Sequence, residues 1–295
     1  MSVLNYITWD VSPWLYEGEH FAIGWYGVLA TLASITLLLT FMYLMRKDKL
    51  PLTYALVLFI VATIMTYIFG HIVHCVFYEW YYDEKFGMWN LCWRNPMLAQ
   101  PWKLFDLRHG GFASHGCVLG GILTALLLKY PMRCDFYWLF DRIMIGACAM
   151  LFVRMGNLMT GEIYGVPTAL PWGFIFHEGE VPAHPTQIYE IIYFIVAYVI
   201  GIWLFAKKDA GQYRGLLSGV LLLLIFVPRF MIEFIKLPQA EFEENWALNM
   251  GQLLSIPFII FGVVSLIRAL KEGKQANIAP AIVLNHQERK KYKRR

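Results

Sequence analysis

Three uncharged runs constrain this chain more than anything else in it. They are Phe21–Met45, Pro51–Gly70 and Ala247–Ile267, of 25, 20 and 21 residues. Each reaches the roughly 20 apolar residues that carry a helix across a bilayer. Only 16% of the chain is charged and 58% is hydrophobic, against about 25% charged in soluble domains. The class that follows is an all-α integral membrane protein.

Weaker apolar periods between these runs bring the expected count to seven transmembrane helices, at about 21–45, 52–78, 112–129, 135–155, 186–206, 215–236 and 248–268. Loop charge orients them. Arg46, Lys47 and Lys49 follow the first span, Lys129 and Arg133 follow the third, and Lys207, Lys208 and Arg214 follow the fifth. With the nine Lys/Arg of the last 28 residues, 17 of 25 cations fall on one side. That side is expected to be cytoplasmic, with the N-terminus outside and the C-terminus inside. Residues 1–20 lack Lys and Arg, so the first span is expected to be retained and not cleaved as a signal peptide.

Residues 1–271 are expected to form the catalytic bundle, and 272–295 a mobile basic cytoplasmic tail near anionic lipid. No folded basic face accompanies the tail, so nucleic acid is not an expected partner. The connections 79–111 and 156–185 are rich in Trp, Tyr and Pro and are expected to lie along the outer, periplasmic-side interface, where Trp and Tyr concentrate. Five cysteines, none in a C-x-x-C pair, imply neither a disulfide framework nor a zinc knuckle.

The topology sorts polar residues by depth. Tyr26 falls near the outer end of span 1, His71, His74 and Glu79 near that of span 2, His115 at the opening of span 3, and Arg154 at the end of span 4. Arg229 is about 14 residues into span 6, roughly 21 Å up, and Glu233 lies one turn further. Ionisable groups at such depth face a bundle interior or cavity and mark function. Blander readings stand beside this one. Arg229 and Glu233 are spaced i, i+4 and suit an intrahelical pair, His71 and His74 suit local hydrogen bonds, and Tyr26 suits an interfacial aromatic. Asp141 and Arg142 fall in the inner half, where a structural or headgroup role fits better.

The most polar knot follows the uncharged run Ile143–Val153. It reads V-R-M-G-N-L-M-T-G-E-I-Y-G from Val153 to Gly165, bringing Arg154, Asn157 and Glu162 with three glycines. A helix end turning into a loop would also use Gly and Asn. Two guanidiniums on different helices suit a phosphate, and a nearby His can move a proton near neutral pH. These residues point to an enzyme or carrier acting on an anionic phospholipid of the outer leaflet.

The stretch R-M-G-N-L-M-T-G-E-I-Y-G, from Arg154 to Gly165, closely resembles the signature of the prolipoprotein diacylglyceryl transferases. Further motifs follow in the family's order: Trp25-Tyr26-Gly27, G-G-F-A-S-H-G at Gly110–Gly116, H-P-T-Q-I-Y-E at His184–Glu190, P-R-F-M-I-E-F at Pro228–Phe234 and M-G-Q-L-L-S-I-P at Met250–Pro257. The chain departs from the family pattern at Gly24, Cys117, Thr160 and Lys236. The resemblance implies a bacterial plasma-membrane enzyme that moves the diacylglyceryl group of phosphatidylglycerol onto the lipobox cysteine of a prolipoprotein signal peptide. It implies no metal or other cofactor. On this resemblance Arg154 and Arg229 are expected to hold the phosphate, and His115, with Tyr26, to assist thiol deprotonation. Asn157, Glu162 and Glu233 would orient the arginines or the headgroup, and Gly165 would keep backbone close to it.

Other classes fit less well. A lipid transporter or flippase would place its site near the midplane and often repeat its halves. A metalloprotease would carry H-E-x-x-H, whereas Ile72-Val73 separate His71 from His74. A structural subunit leaves Arg154 and Arg229 unexplained.

Overall fold

The computed structural model describes residues 6–78, 81–83, 88–90, 111–237 and 246–275. Glu79, most of the connection 79–111 and the tail from 276 onward lie outside the described residues.

The chain forms α1 (Trp25–Lys47), α2 (Leu52–Phe77), α3 (Ser114–Leu128), α4 (Phe136–Ala147), α5 (Leu151–Met159), α6 (Thr186–Lys207), α7 (Leu216–Ile232) and α8 (Met250–Glu272). A 3-10 turn, Cys148–Met150, joins α4 to α5 inside the stretch expected as one helix, and another, Glu233–Ile235, extends α7. Among the described residues six helical stretches are long and apolar enough to cross a membrane. The chain is a multi-pass membrane protein. With 15 residues, α3 spans about 22 Å, less than the roughly 30 Å hydrocarbon core.

The bundle is helical as expected, and short strands pair in its connections. β1 (Ile7–Thr8) runs parallel to β6 (Phe174–Ile175), β2 (Trp14–Glu17) pairs antiparallel with β3 (Ala22–Gly24), and β4 (Tyr81–Asp83) with β5 (Met88–Asn90).

The lipid-like surface is apolar: Leu39, Ile60, Val199 and Ile260 are all exposed. Association between helices then depends on close packing and polar contacts. At Gly219 of α7 a Cβ would come within 2.8 Å of the Leu266 backbone of α8, so glycine sets that distance. Phe41, Leu58, Phe140, Ile145, Leu221 and Phe226 fill the core between α1, α2, α4 and α7.

The short connections 48–51, 129–135 and 208–215 gather at one end. Here Arg142 donates to both Asp48 carboxylate oxygens, at 2.6 and 3.0 Å, and to the Trp138 carbonyl at 2.8 Å. Asp141 accepts from the backbone N–H groups of Gly215 and Ser218, at 3.0 and 2.8 Å. It thereby caps α7 from a neighbouring helix, satisfying donors that a helix start leaves orphaned.

Candidate active site

At the long-connection end, the second turn of α6 carries Glu190, which is 1% exposed. The first turn, just before it, is tied to the chain after α5: the Thr186 hydroxyl donates to the Ile163 carbonyl at 2.9 Å, and the Gln187 amide to the Glu162 carbonyl at 2.6 Å.

Three cations from three places converge on Glu190. Arg154 Nε lies 2.9 Å from one oxygen, and Arg229 Nη1 and Lys236 Nζ lie 3.2 and 3.1 Å from the other. Glu233 adds a second carboxylate, 3.2 Å from Arg229 Nη2 and 3.7 Å from Lys236 Nζ. Asn249, which caps α8, donates to Glu233 Oε2 at 3.1 Å. Among the described residues of this buried cluster, three cations stand against two carboxylates, one positive charge in excess. All five side chains are at least nine-tenths buried, and a buried charge without a partner is costly. The excess makes the place suited to an added anion.

His115 of α3 joins this network from the side. Its Nε2 lies 3.1 Å from Ser255 Oγ and 3.4 Å from Arg229 Nε. A guanidinium N–H can only donate. Toward Arg229, Nε2 is therefore the acceptor, whereas Ser255 donates its one proton to the Gly251 carbonyl at 2.6 Å and can only accept from the imidazole. All three Arg229 nitrogens are engaged, by His115, Glu190 and Glu233.

Arg154 is placed differently. Its Nη1 donates to Asn157 Oδ1 at 3.0 Å, and among the described residues its Nη2 makes no hydrogen bond. Arg154 lines a cavity of about 640 Å³ enclosed by α1, α2, α3 and the α4–α5 stretch, together with Tyr26, Asn157, Glu162, His71 and His74. Gly156 lets the Tyr26 ring pack there, since a Cβ would approach it to 2.7 Å. His115, Arg229 and Glu233 lie behind this cavity and not on its wall. At the rim outside the helices, burial and a hydrogen bond to Glu180 raise the Tyr164 hydroxyl above its ordinary range.

The structure thus joins Arg154 and Arg229 through one carboxylate, attaches Glu233 and His115 through Arg229, and puts Tyr26, Asn157 and Glu162 on the cavity. The two arginines meet on Glu190. Gly165 sits elsewhere. Its N–H donates to the His184 carbonyl at 2.8 Å, it bridges Lys236, and a Cβ would collide with the Ile235 carbonyl. Its missing side chain seats the loop on the end of α7, close to Lys236. Glu190 was absent from the expected site, although sorting by depth would have found a carboxylate one turn into a span at the same level. The fully buried Lys236 appeared only as a departure from the family pattern. Among the described residues no three His, Cys, Asp or Glu side chains converge to hold a metal.

The sequence profile described as prolipoprotein diacylglyceryl transferase matches residues 13–268. Proteins named phosphatidylglycerol–prolipoprotein diacylglyceryl transferase are similar along almost the whole chain. That of Chloroherpeton thalassium is 36% identical over 284 residues, covering 93% of this chain and 98% of the relative. That of Porphyromonas gingivalis is 36% identical over 293 residues, covering 92% and 97%. That of Tolumonas auensis is 31% identical over 267 residues, covering 90% and 98%. A match across nearly the full bundle shows that this chain belongs to the prolipoprotein diacylglyceryl transferase family.

Proposed function

We propose that the protein uses phosphatidylglycerol to modify prolipoproteins, the first step of lipoprotein maturation, and that the acceptor is the lipobox cysteine of the signal peptide. The thiolate attacks the glyceryl carbon that bears the phosphate. A C–S thioether bond forms, the C–O bond breaks, and its electron pair leaves with glycerol phosphate. The observation that carries this reading is the buried cation excess at the end of a lipid-sized cavity.

In this reading Arg154 touches the phosphate through Nη2, while Asn157 and Glu190 hold its plane. Fixed cations matter most as charge grows on the leaving phosphate. Arg229, with Lys236 and Glu233 around it, supplies the field behind. A thiol with a pKa near 8.5 must lose its proton to attack. His115 takes that proton, with Tyr26 and Glu162 orienting the headgroup. The packing of Gly165 supports a role in seating Lys236 more than direct headgroup contact. If His115→Gln alkylates its acceptor thiol at the parental single-turnover rate, His115 is not the base.

All seven apolar helices span in this reading, α3 within a protein wall. The distribution of Lys and Arg supports an outside N-terminus, a cytoplasmic C-terminus and a site facing the outer leaflet of the bacterial plasma membrane. Residues 1–271 form the catalytic unit and 272–295 a cytoplasmic tail. Mass spectrometry of a lipobox peptide incubated with the protein and phosphatidylglycerol tests the reaction. A diacylglyceryl mass gain on cysteine is expected, and an unchanged peptide with every phosphatidylglycerol offered refutes it.

A further inference from the structure

The cavity beside Arg154 continues well past its polar end. On α1 its wall runs from Tyr26 through Ala33 and Leu37 to Phe41, and on α2 from His74 to Ala62. At 1.5 Å per residue these walls are about 22 and 18 Å long, and the α4–α5 wall from Asn157 to Ile143 is about 21 Å. One leaflet of hydrocarbon is roughly 15 Å thick, half of the bilayer core.

The deep part is lined by Ala33, Leu37, Phe41, Ala62, Ile143 and Met144. Of the polar side chains nearby, Ser34 already donates to the Ala30 carbonyl at 3.0 Å, and Thr63 and Thr66 line the α2 wall. A peptide entering there would find only these scattered hydroxyls for its backbone groups; an unbranched hydrocarbon needs none. The shape is that of an amphiphile with one anionic end and one apolar tail. Phe41, fully buried in the core cluster, closes the far end with Met144.

We propose that this deep cavity receives one acyl chain of the donor lipid, and that its floor at Phe41 and Met144 sets the longest chain accepted. The inference rests on the transferase reading and adds a ruler to it. Narrow residues keep the slot open: Ala30, Ala33 and Ala62 leave room that a larger side chain would fill.

The test is a graded series of plugs. The full chain is given an equimolar mixture of dilauroyl, dimyristoyl, dipalmitoyl and distearoyl phosphatidylglycerol with a lipobox peptide, and the products are resolved by mass. Ala30→Phe should confine products to the shortest donors, Ala33→Phe to intermediate ones, and Leu37→Trp should remove only the longest. The long-to-short product ratio should fall by about tenfold for each pair of methylenes excluded, in line with the discrimination of small apolar groups in closed pockets. Leu39→Phe adds the same bulk to the exposed face of α1 and should leave the ratio unchanged. The chain lengths of phosphatidylglycerol retained by each purified variant give the same ratio without turnover. Plugged variants with the parental ratio in both measurements overturn the ruler, as does a plug that weakens peptide binding while sparing the ratio. A parent that makes no product from any donor refutes the transferase reading instead.

Discussion

The bundle buries charge at both ends, and the two clusters are built to different rules. At the short-connection end both buried charges, Arg142 and Asp141, are answered. Arg142 places its three nitrogens on Asp48 and the Trp138 carbonyl and stacks 3.8 Å over the Trp138 ring. Asp141 is answered by two backbone N–H groups at the start of α7, where the helix dipole supplies about half a positive charge. At the long-connection end Arg154, Arg229 and Lys236 share Glu190 and Glu233, and among the described residues one cation remains over. The first cluster welds the helices α1, α4 and α7. The second holds cations at fixed places without cancelling them, and one of these, Arg154, borders a cavity. Buried charge alone does not mark a site; an imbalance beside open volume does.

The sharpest test of this contrast is Arg154→Ala. Transfer should fall by at least about a thousandfold, or about 4 kcal/mol, with the purified variant still folded by thermal denaturation. Parental transfer would break the comparison outright. Arg142→Met should behave oppositely. Stranding Asp48 near an apolar side chain should cost about 3 kcal/mol of stability, seen as a lower unfolding midpoint, with transfer per folded molecule unchanged. A selective loss of turnover at normal stability would show that the balanced cluster also serves the reaction.

Glu190→Gln raises the cation excess from one to two while removing the common anchor. Turnover should fall by roughly a hundredfold, and inhibition by glycerol phosphate should tighten. Weaker inhibition with lower turnover would mean that Glu190 maintains the fold and not the field. Lys236→Met removes the excess altogether. The expected effect is about a tenfold rise in the donor concentration needed for half-maximal rate, about 1.4 kcal/mol, largely restored by Lys236→Arg. A changed maximal rate with unchanged donor dependence would place Lys236 outside the anion's reach.

Much of this architecture was legible in the sequence, because hydrocarbon demands helices of a set length. The expected spans 52–78 and 186–206 match Leu52–Phe77 and Thr186–Lys207 to within a residue. The expected span 135–155 hid a 3-10 turn at Cys148–Met150 and stopped short of Met159. Charge and glycine mark the end of a membrane helix poorly when both lie inside the protein.

Counting residues along a span gives depth, and depth alone collected Tyr26, His115, Arg154, Arg229 and Glu233 at one level. It says nothing about rotation around the helix axis. Packing of α6 against α5 and α7 turned Glu190 between two arginines. Contacts with Ser255 and Phe258 of α8 likewise hold His115 away from the cavity wall. Gly165 is small because the Ile235 carbonyl occupies the space, a neighbour 70 residues away that no local pattern announces. Length and polarity along each helix belong to the sequence by itself, since each helix meets the bilayer alone. Which charge faces which was decided only in the tertiary structure, because a charge withdrawn from water takes whatever partner the neighbouring helix presents.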